Sequence, residues 1–242
     1  MGRTFACSDL HGMMNLYKQI KEFIEPEDTV ICLGDCGDRG YNSWELIKKV
    51  YTDPQFIYLM GNHERMLIDA GAEFLQTDDY GRKFSLLWQN GGENTFEGWM
   101  ANEMNEDWLA HLRRLPYSYK YINKDGIYIY LTHAGFTPLY DEYDEVVLPD
   151  SYDLIWDRYH FDDPWPINAG PILIVHGHTP IPSLMRRLGE VSNEWEPGAY
   201  WYCKNHKVCI DNGAFRTGYC CLLDLDTFDE HIFYDAEVEI GW

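Results

Sequence analysis

Five short polar clusters with adjacent glycines recur along the chain. They are Ser8-Asp9-Leu10-His11-Gly12, Gly34-Asp35-Cys36-Gly37-Asp38-Arg39-Gly40, Gly61-Asn62-His63-Glu64, Leu131-Thr132-His133-Ala134-Gly135 and Val175-His176-Gly177-His178-Thr179. Six of their side chains are candidate metal ligands: Asp9, His11, Asp35, Asn62, His133 and His178. Nitrogen and oxygen ligands without a thiolate suit Mn, Fe or Zn. The set is large enough for two divalent ions that share one carboxylate and leave positions for water and substrate.

Each cluster alone has a simpler interpretation. An Asp-x-His after a strand is more often a helix cap and a surface histidine, and Gly-Asn-His-Glu alone is a turn followed by an N-cap. The joint occurrence of five such clusters at the ends of strand-like runs is improbable by chance. We therefore interpret them together, as one site.

The elements that must position these clusters alternate regularly in the first third of the chain. The hydrophobic pattern predicts strands at Arg3–Cys7, Thr29–Leu33 and Phe56–Leu59, and helices at Met13–Ile24, at Ser43–Tyr51 and opening at Glu64–Ala70. This alternation predicts βαβ units with parallel strands. Because open α/β sheets bind ligands beyond the carboxyl ends of their strands, we expect the clusters to meet at one edge.

The rest of the chain predicts one domain, residues 1–242, with a helical insert at about 72–115. Later strands are predicted at Ile127–Leu131, Ile172–Val175, Val208–Ile210, Tyr219–Leu225 and His231–Tyr234. Residues 141–153 and 188–205 are rich in turn-forming and acidic residues, and we expect long surface loops there.

The charge balance excludes some classes of partner. Lys and Arg number 19 against 40 Asp and Glu, a formal net charge of −21. Such a chain is a poor sequence-independent binder of nucleic acid or of an anionic membrane, and a site for an anionic substrate must bring its own positive charge. The seven cysteines form no C-x-x-C pair, and apolar residues begin at Thr4–Ala6 without a signal peptide. We therefore expect a cytoplasmic protein with reduced thiols.

The five clusters together resemble the calcineurin-like metallophosphoesterases, in particular the bacterial and phage serine/threonine phosphatases of the phosphoprotein phosphatase branch. The pattern of that branch is GDxHG, GDxxDRG, GNHE, H-x-G and GHT. This chain has SDLHG, GDCGDRG, GNHE, HAG and HGHT, and the similarity extends from residue 4 to about residue 215. Ser8 replaces the first glycine, a departure that we expect to affect loop geometry and no ligand.

The resemblance implies an α/β fold with central mixed β-sheets, packed as a β-sandwich and flanked by helices. It also implies two divalent metal ions per chain (Mn, or Fe or Zn). One ion would be held by Asp9, His11 and Asp35, and the second by Asp35 as a bridge together with Asn62, His133 and His178. His176 matches no family ligand, and we interpret it as a core or supporting residue.

The resemblance further implies roles around the metal ions. Arg39 and Asn62 would hold phosphate oxygens, and Arg158 would be a second phosphate-binding arginine. His63 would protonate the leaving oxygen, with its ring oriented by Asp38. Asp211 lies in a turn that packs beside the site in the family.

The predicted activity is that of a dinuclear metal-dependent phosphomonoesterase, most consistent with a serine/threonine protein phosphatase in which a metal-bridging hydroxide attacks phosphorus in line. The substrate would be a phosphorylated protein or a small phosphate ester. A symmetrical dinucleoside tetraphosphate hydrolase or another nucleotide phosphatase is the alternative. Phosphodiesterases and nucleases of this fold end in GHxH, where this chain has Pro180. A non-catalytic binding scaffold predicts lost ligands, and none is lost.

Overall fold

The computed structural model describes residues 2–102, 106–143, 145–166, 170–190 and 195–238. Its strands are β1 (Thr4–Cys7), β2 (Thr29–Cys32), β3 (Phe56–Tyr58), β4 (Ser118–Ile122), β5 (Tyr128–Thr132), β6 (Leu139–Tyr140), β7 (Val146–Val147), β8 (Ile172–His176), β9 (Tyr200–Tyr202), β10 (Lys207–Cys209), β11 (Tyr219–Asp224) and β12 (Glu230–Tyr234). Its helices are α1 (Met14–Phe23), α2 (Ser43–Thr52), α3 (Asn62–Thr77), α4 (Arg82–Gln89), α5 (Glu93–Ala101), α6 (Glu106–Leu112), α7 (Asp153–Trp156), α8 (Ile181–Arg187) and α9 (Ala214–Thr217).

The first sheet has the strand order β12-β11-β1-β2-β3. Its members β1, β2 and β3 are parallel, as the alternating pattern predicts, and β11 and β12 add antiparallel strands. Cys7 pairs with Cys32, and Cys32 pairs with Tyr58. The three parallel strands therefore end at the same level, and the residues that follow them share one edge.

The second sheet has the order β4-β5-β8-β10-β9. The strands β5, β8 and β10 are parallel, whereas β4 and β9 are antiparallel to their neighbours. A short antiparallel pair, β6 and β7, forms a third sheet. Both large sheets are therefore mixed, and each contains three adjacent parallel strands that bring their following loops to one edge.

The two large sheets pack face to face, and the period of two along each strand decides which side chains lie between them. Ala6 of β1 and Ile31 of β2 lie in the core between the sheets, with Leu173 of β8. Their neighbours Phe5 and Val30 point to the opposite face, against the helices. The α/β fold with mixed sheets in a sandwich flanked by helices is thus confirmed.

The helical region and the two predicted loops differ in detail from expectation. The predicted helical insert, about 72–115, begins inside a helix, because residues 72–77 are the end of α3, which starts at the sheet edge. Residues 103–105 of the insert lie outside the described part of the chain. The prediction of long loops at 141–153 and 188–205 was wrong in part, because β7, the start of α7 and β9 lie within them. Strands of two or three residues are too short for a recognisable alternation. Residues 144 and 191–194 lie outside the described residues.

None of the described helices is both long enough and apolar enough to cross a membrane.

Candidate metal centre and active site

Five loops meet at the carboxyl edge of the sandwich. Asp9 follows β1, Asp35 follows β2, Asn62 begins α3 after β3, His133 follows β5 and His178 follows β8. These side chains are all buried, with at most 6 % of their surface exposed. The structure therefore brings the sequence-predicted ligands together in one place.

The carboxylate of Asp35 is common to two groups of side chains that could each hold a metal ion. One group is His11, Asp35 and His63, the other Asp35, His133 and His178, and within each group the ligand atoms lie within 4.8 Å of one another. Oδ2 of Asp35 is 3.8 Å from Nε2 of His11 and 3.3 Å from Nε2 of His133. This position between two groups suits a ligand shared by two ions.

Hydrogen bonds to backbone carbonyls orient two of the histidines. Nδ1 of His11 donates to the carbonyl oxygen of Gly37 at 2.7 Å, and Nδ1 of His133 donates to that of Leu33 at 2.9 Å. In each ring the other nitrogen, Nε2, then faces the centre. Backbone carbonyls commonly hold metal-binding histidines in this way.

The protonation of the histidines differs with their surroundings. Burial and the Arg39 cation hold the pKa of His11 well below its ordinary range, so this ring is neutral. Burial lowers the pKa of His133 too, but the Asp35 carboxylate outweighs burial and raises that pKa to about 9. A divalent ion at Nε2 of His133 must therefore displace a proton.

Asn62 and His178 complete the second group. Oδ1 of Asn62 lies 2.9 Å from Nε2 of His133 and 2.8 Å from Nδ1 of His178. Nε2 of His178 is buried and has no hydrogen-bond partner within the described part of the chain. Burial lowers the pKa of this histidine well below its ordinary range, so it is a neutral nitrogen donor.

Asp9 lies on the other side of Asp35. One of its oxygens, Oδ1, is 3.9 Å from Nε2 of His11, and the other accepts the backbone N–H of His178 at 3.0 Å and the hydroxyl of Ser8. The expectation that Ser8 affects no ligand was therefore wrong, because a hydroxyl at this position binds the neighbouring carboxylate. Burial and the charge of Asp35 raise the pKa of Asp9.

Asp211 adds a further buried carboxyl close to Asp9. Burial and the charge of Asp9 raise the pKa of Asp211 well above its usual range, and its Oδ1 accepts the N–H of Gly213 at 2.8 Å. Several carboxyl groups buried close together are energetically costly without cations. Nitrogen and oxygen donors around a shared carboxylate together fit two divalent ions.

His63 belongs to one of the candidate groups and also has a carboxylate partner of its own. Its Nδ1 lies 2.5 Å from Oδ2 of Asp38, and both side chains are buried. Burial lowers the pKa of His63, but the carboxylates of Asp35 and Asp38 more than offset this and raise it above its ordinary value. Asp38 therefore orients the ring, and its second nitrogen, Nε2, faces Arg39 and the centre.

Two arginines face the same centre. Arg39 contacts Nε2 of His11 through one nitrogen, lies 2.9 Å from Nε2 of His63 through the other, and stacks over the ring of Phe215 at 4.5 Å. Arg158 is exposed, its Nε donates to the hydroxyl of Thr179 at 3.1 Å, and it interacts electrostatically with the Asp35 carboxylate. Both guanidinium groups could therefore reach an anion bound at the metal centre.

His176 lies outside the ligand groups. It is fully buried, with Nε2 2.7 Å from the hydroxyl of Tyr202, and burial lowers its pKa to about 3. This agrees with its interpretation as a core residue.

Two supporting residues had no predicted role. The carboxylate of Glu64 accepts the backbone N–H groups of Asp35, Cys36 and Gly61 at 2.8 to 3.0 Å. A glutamate in the third helical position is a capping-box signal that could have identified it. Thr95, at the start of α5, receives the N–H of Asp38 at 2.7 Å and donates its hydroxyl to the carboxylate of the same residue.

Backbone strain concentrates at the site. Positive φ angles occur at the non-glycine residues Asp9 (53°), His11 (40°), Asp35 (55°), Asp38 (68°), Arg39 (68°) and His178 (65°). Such conformations cost energy and persist only where the surroundings impose them. Gly61 has to be glycine for a steric reason, since a Cβ at this position would collide with the Asp35 carboxylate.

Comparisons with known proteins agree with this architecture. Three solved structures are similar: a candidate diadenosine tetraphosphatase (16 % identity, TM-score 0.61, covering 98 % of this chain and 95 % of that one), a protein serine/threonine phosphatase from Saccharomyces cerevisiae (15 %, 0.51, 98 % and 81 %) and a metallophosphoesterase from Sphaerobacter thermophilus (15 %, 0.52, 99 % and 89 %). At these identities the similarity shows the fold alone.

A family model described as calcineurin-like phosphoesterase matches residues 2–213. This match spans most of the 242 residues and includes all five clusters. The protein belongs to the calcineurin-like phosphoesterase family.

Proposed function

We propose that this protein is a two-metal phosphomonoesterase of the phosphoprotein phosphatase branch. The observation that carries the proposal is the position of Asp35, whose carboxylate belongs to both groups of ligand atoms. Membership of a metal-dependent phosphoesterase family supports the reaction class. Asp9, His11 and Asp35 would hold one ion, and Asp35, Asn62, His133 and His178 the other.

Two divalent ions, when bound, lower the pKa of a water molecule towards neutrality and neutralise charge on phosphate oxygens. In this proposal Arg39 would bind phosphate as well as contact His11. Its guanidinium contacts Nε2 of His11, and one lone pair cannot serve both a guanidinium and a metal ion. With an ion held at Nε2 of His11, Arg39 would be available to a bound phosphate, to which Arg158 and the amide of Asn62 would add further hydrogen bonds.

His63 supplies the proton for the leaving group in this proposal. Asp38 and Asp35 favour the protonated ring, and Asp38 fixes the orientation of the imidazole through Nδ1. The alkoxide of serine or threonine is a poor leaving group. A positioned proton donor typically accelerates such a step by about 10²–10⁴-fold.

A cavity next to the metal centre supports a phosphoprotein as the substrate. It has a volume of about 590 Å³ and apolar walls that include Met66, Ile155 and Trp156. The Trp156 ring is 6.1 Å from the His178 ring, centroid to centroid. Two cations at the rim, Arg65 and Lys83, lie 3.1 and 3.7 Å from the carboxylate of Asp69. The apolar walls suit a peptide side chain, and the two cations against one carboxylate leave one net positive charge at the rim.

A dinucleoside tetraphosphate remains the second candidate, because an adenine ring could stack on Trp156. A phosphodiesterase activity is disfavoured, since Pro180 precedes α8 in the place of the extra histidine ligand. The proposal includes a cytoplasmic location, in keeping with seven free cysteines, six of them buried.

Metal removal and substrate profiling test the proposal. The protein is stripped with chelator, reloaded with Mn²⁺ and assayed on a phosphoserine peptide, diadenosine tetraphosphate and p-nitrophenyl phosphate. We expect about two metal equivalents per chain, loss of all hydrolysis on stripping and recovery on reloading. Full activity of the stripped protein would contradict the two-metal proposal. A higher kcat/KM for diadenosine tetraphosphate than for the peptide would favour the second candidate.

A further inference from the structure

A buried lysine lies behind the active site and has no part in the chemistry above. Lys207 is on β10 and none of its surface is exposed. Its Nζ donates to the hydroxyl of Thr137 at 2.9 Å, to the carbonyl oxygen of His160 at 2.6 Å and to Nδ1 of His160 at 3.2 Å. The three N–H groups of the ammonium are thus satisfied by three neutral acceptors.

A charge buried among neutral groups is expensive. Burial lowers the pKa of Lys207 to about 8, while Asp157 and Asp163 act on it only through space. Cys209, two residues further along β10 and so on the same face of the strand, packs in an apolar cluster with Phe161 and Leu184. A methionine could fill the same space without the cost of desolvation. The ammonium therefore does not serve packing alone.

The partner of Lys207 connects two loops of the active site. Nδ1 of His160 faces the ammonium, so its proton is on Nε2, which donates to the carbonyl oxygen of Ala134 at 2.8 Å. Burial keeps the pKa of His160 well below its ordinary range, in agreement with this neutral ring. Ala134 follows the ligand candidate His133, and His160 lies two residues after Arg158.

We propose that Lys207 is a positioning residue that acts through His160 to hold Arg158 towards the metal centre. The ammonium binds the segment of Arg158 at the His160 carbonyl and binds the loop after β5 at Thr137. Among the described residues, the exposed Arg158 makes one side-chain hydrogen bond, to Thr179, so its placement depends on the backbone that carries it. The inference rests on the proposed role of Arg158 in phosphate binding.

The test combines Lys207→Met with Arg158→Ala in a double-mutant cycle on the Mn²⁺-loaded full chain. We expect Lys207→Met to raise KM for p-nitrophenyl phosphate and Ki for inorganic phosphate about tenfold, as for loss of one charged contact. Metal content should stay at two equivalents and kcat should change little. In the Arg158→Ala background, Lys207→Met should add no further loss.

Leu184→Met is the matched control, because it changes the neighbouring apolar cluster, to which Cys209 of the same strand belongs, and keeps the ammonium. Lys207→Met should raise amide hydrogen exchange across residues 157–163 well above that of the control. Thr137→Val, which removes one of the three acceptors, should raise KM less, about two- to threefold, and keeps the proposal testable if Lys207→Met does not fold.

Three outcomes would overturn the proposal. One is an additive loss in the double variant, and another is exchange of residues 157–163 equal to that of the control. The third is an Arg158→Ala variant with unchanged KM and Ki. If Arg158→Ala leaves KM and Ki unchanged, hydrolysis by the wild-type protein would still support the phosphatase proposal. If the wild-type protein hydrolyses no phosphate ester, the exchange measurement still decides whether Lys207 orders the segment.

Discussion

Nδ1 of His63 lies 2.5 Å from Oδ2 of Asp38, and the second oxygen of Asp38 accepts the hydroxyl of Thr95. Thr95 is in α5, 57 residues after Asp38 in the chain. The candidate proton donor is therefore oriented by the helical segment as well as by its own loop. The role of His63 can therefore be tested by substitutions at His63, Asp38 and Thr95.

Replacement of His63 should harm one substrate much more than the other. In His63→Asn we expect kcat for a phosphoserine peptide to fall about 10²–10⁴-fold, because a serine alkoxide needs a proton. The kcat for an aryl phosphate, whose phenolate needs little protonation, should fall far less. Steady-state kinetics on both substrates, with metal content measured in parallel, provide the check. Equal losses with metal retained would remove the proton-donor role, and a loss of metal would make His63 a ligand.

Asp38→Asn should change the pH dependence of kcat. Asp35 and Asp38 raise the pKa of His63 against the effect of burial, so the acid form persists to higher pH in the wild type. With one carboxylate removed, the pKa falls and the alkaline limb of the kcat profile should move to lower pH. Thr95→Val is a weaker version, because it keeps the carboxylate but removes its hydroxyl donor. An unchanged alkaline limb in Asp38→Asn would assign that limb to a different group.

Asp35→Asn should lose more metal than Asp9→Asn. Asp35 belongs to both groups of ligand atoms, whereas Asp9 lies on the side of His11. We expect Asp9→Asn to retain about one equivalent of Mn²⁺ and Asp35→Asn to retain less than one, because a shared ligand serves both ions. Metal analysis after gel filtration measures this. Two equivalents in Asp35→Asn would contradict the bridging role.

Metal binding should release a proton from His133. Its pKa is raised to about 9 by Asp35 in spite of burial, so between about pH 6.5, the ordinary value for histidine, and pH 9 the metal-free protein keeps this proton. The protonated ring stabilises the metal-free fold below pH 6.5, and this stabilisation is lost as the pH rises through about 9. Affinity for Mn²⁺ should therefore increase with pH over this range.

Titration calorimetry at pH 7.5 in two buffers of different ionisation enthalpy measures the proton release. The slope of the observed enthalpy against buffer enthalpy should correspond to at least one proton per chain, because ionisation of a metal-bound water would add to the proton from His133. His176→Gln is a useful control, since burial lowers the pKa of His176 to about 3 and the ring carries no proton to release. The same slope is expected in that variant. A slope near zero in the wild type would contradict a protonated His133.

The sequence determined the parallel strands and the polar clusters that follow them. Short continuous apolar runs in β1 and β2 predict buried strands, and the glycine-rich motifs predict turns directly after them, because both patterns depend on neighbours in the chain. The edge shared by Asp9, Asp35 and Asn62 follows from parallel pairing alone. The local pattern of residues is therefore sufficient to place this part of the site.

Tertiary structure alone decided how the two sheets meet and what supports the ligands. Nδ1 of His133 donates to the carbonyl of Leu33, 100 residues away, and Lys207 binds His160 across 47 residues. Such contacts join elements that are far apart in the chain, so no local period or spacing encodes them. The donation from Ser8 to Asp9 is local, yet it depends on a strained turn that the surrounding loops impose. The sequence therefore specifies which groups can bind metal, whereas the packing of the sandwich sets their protonation and orientation.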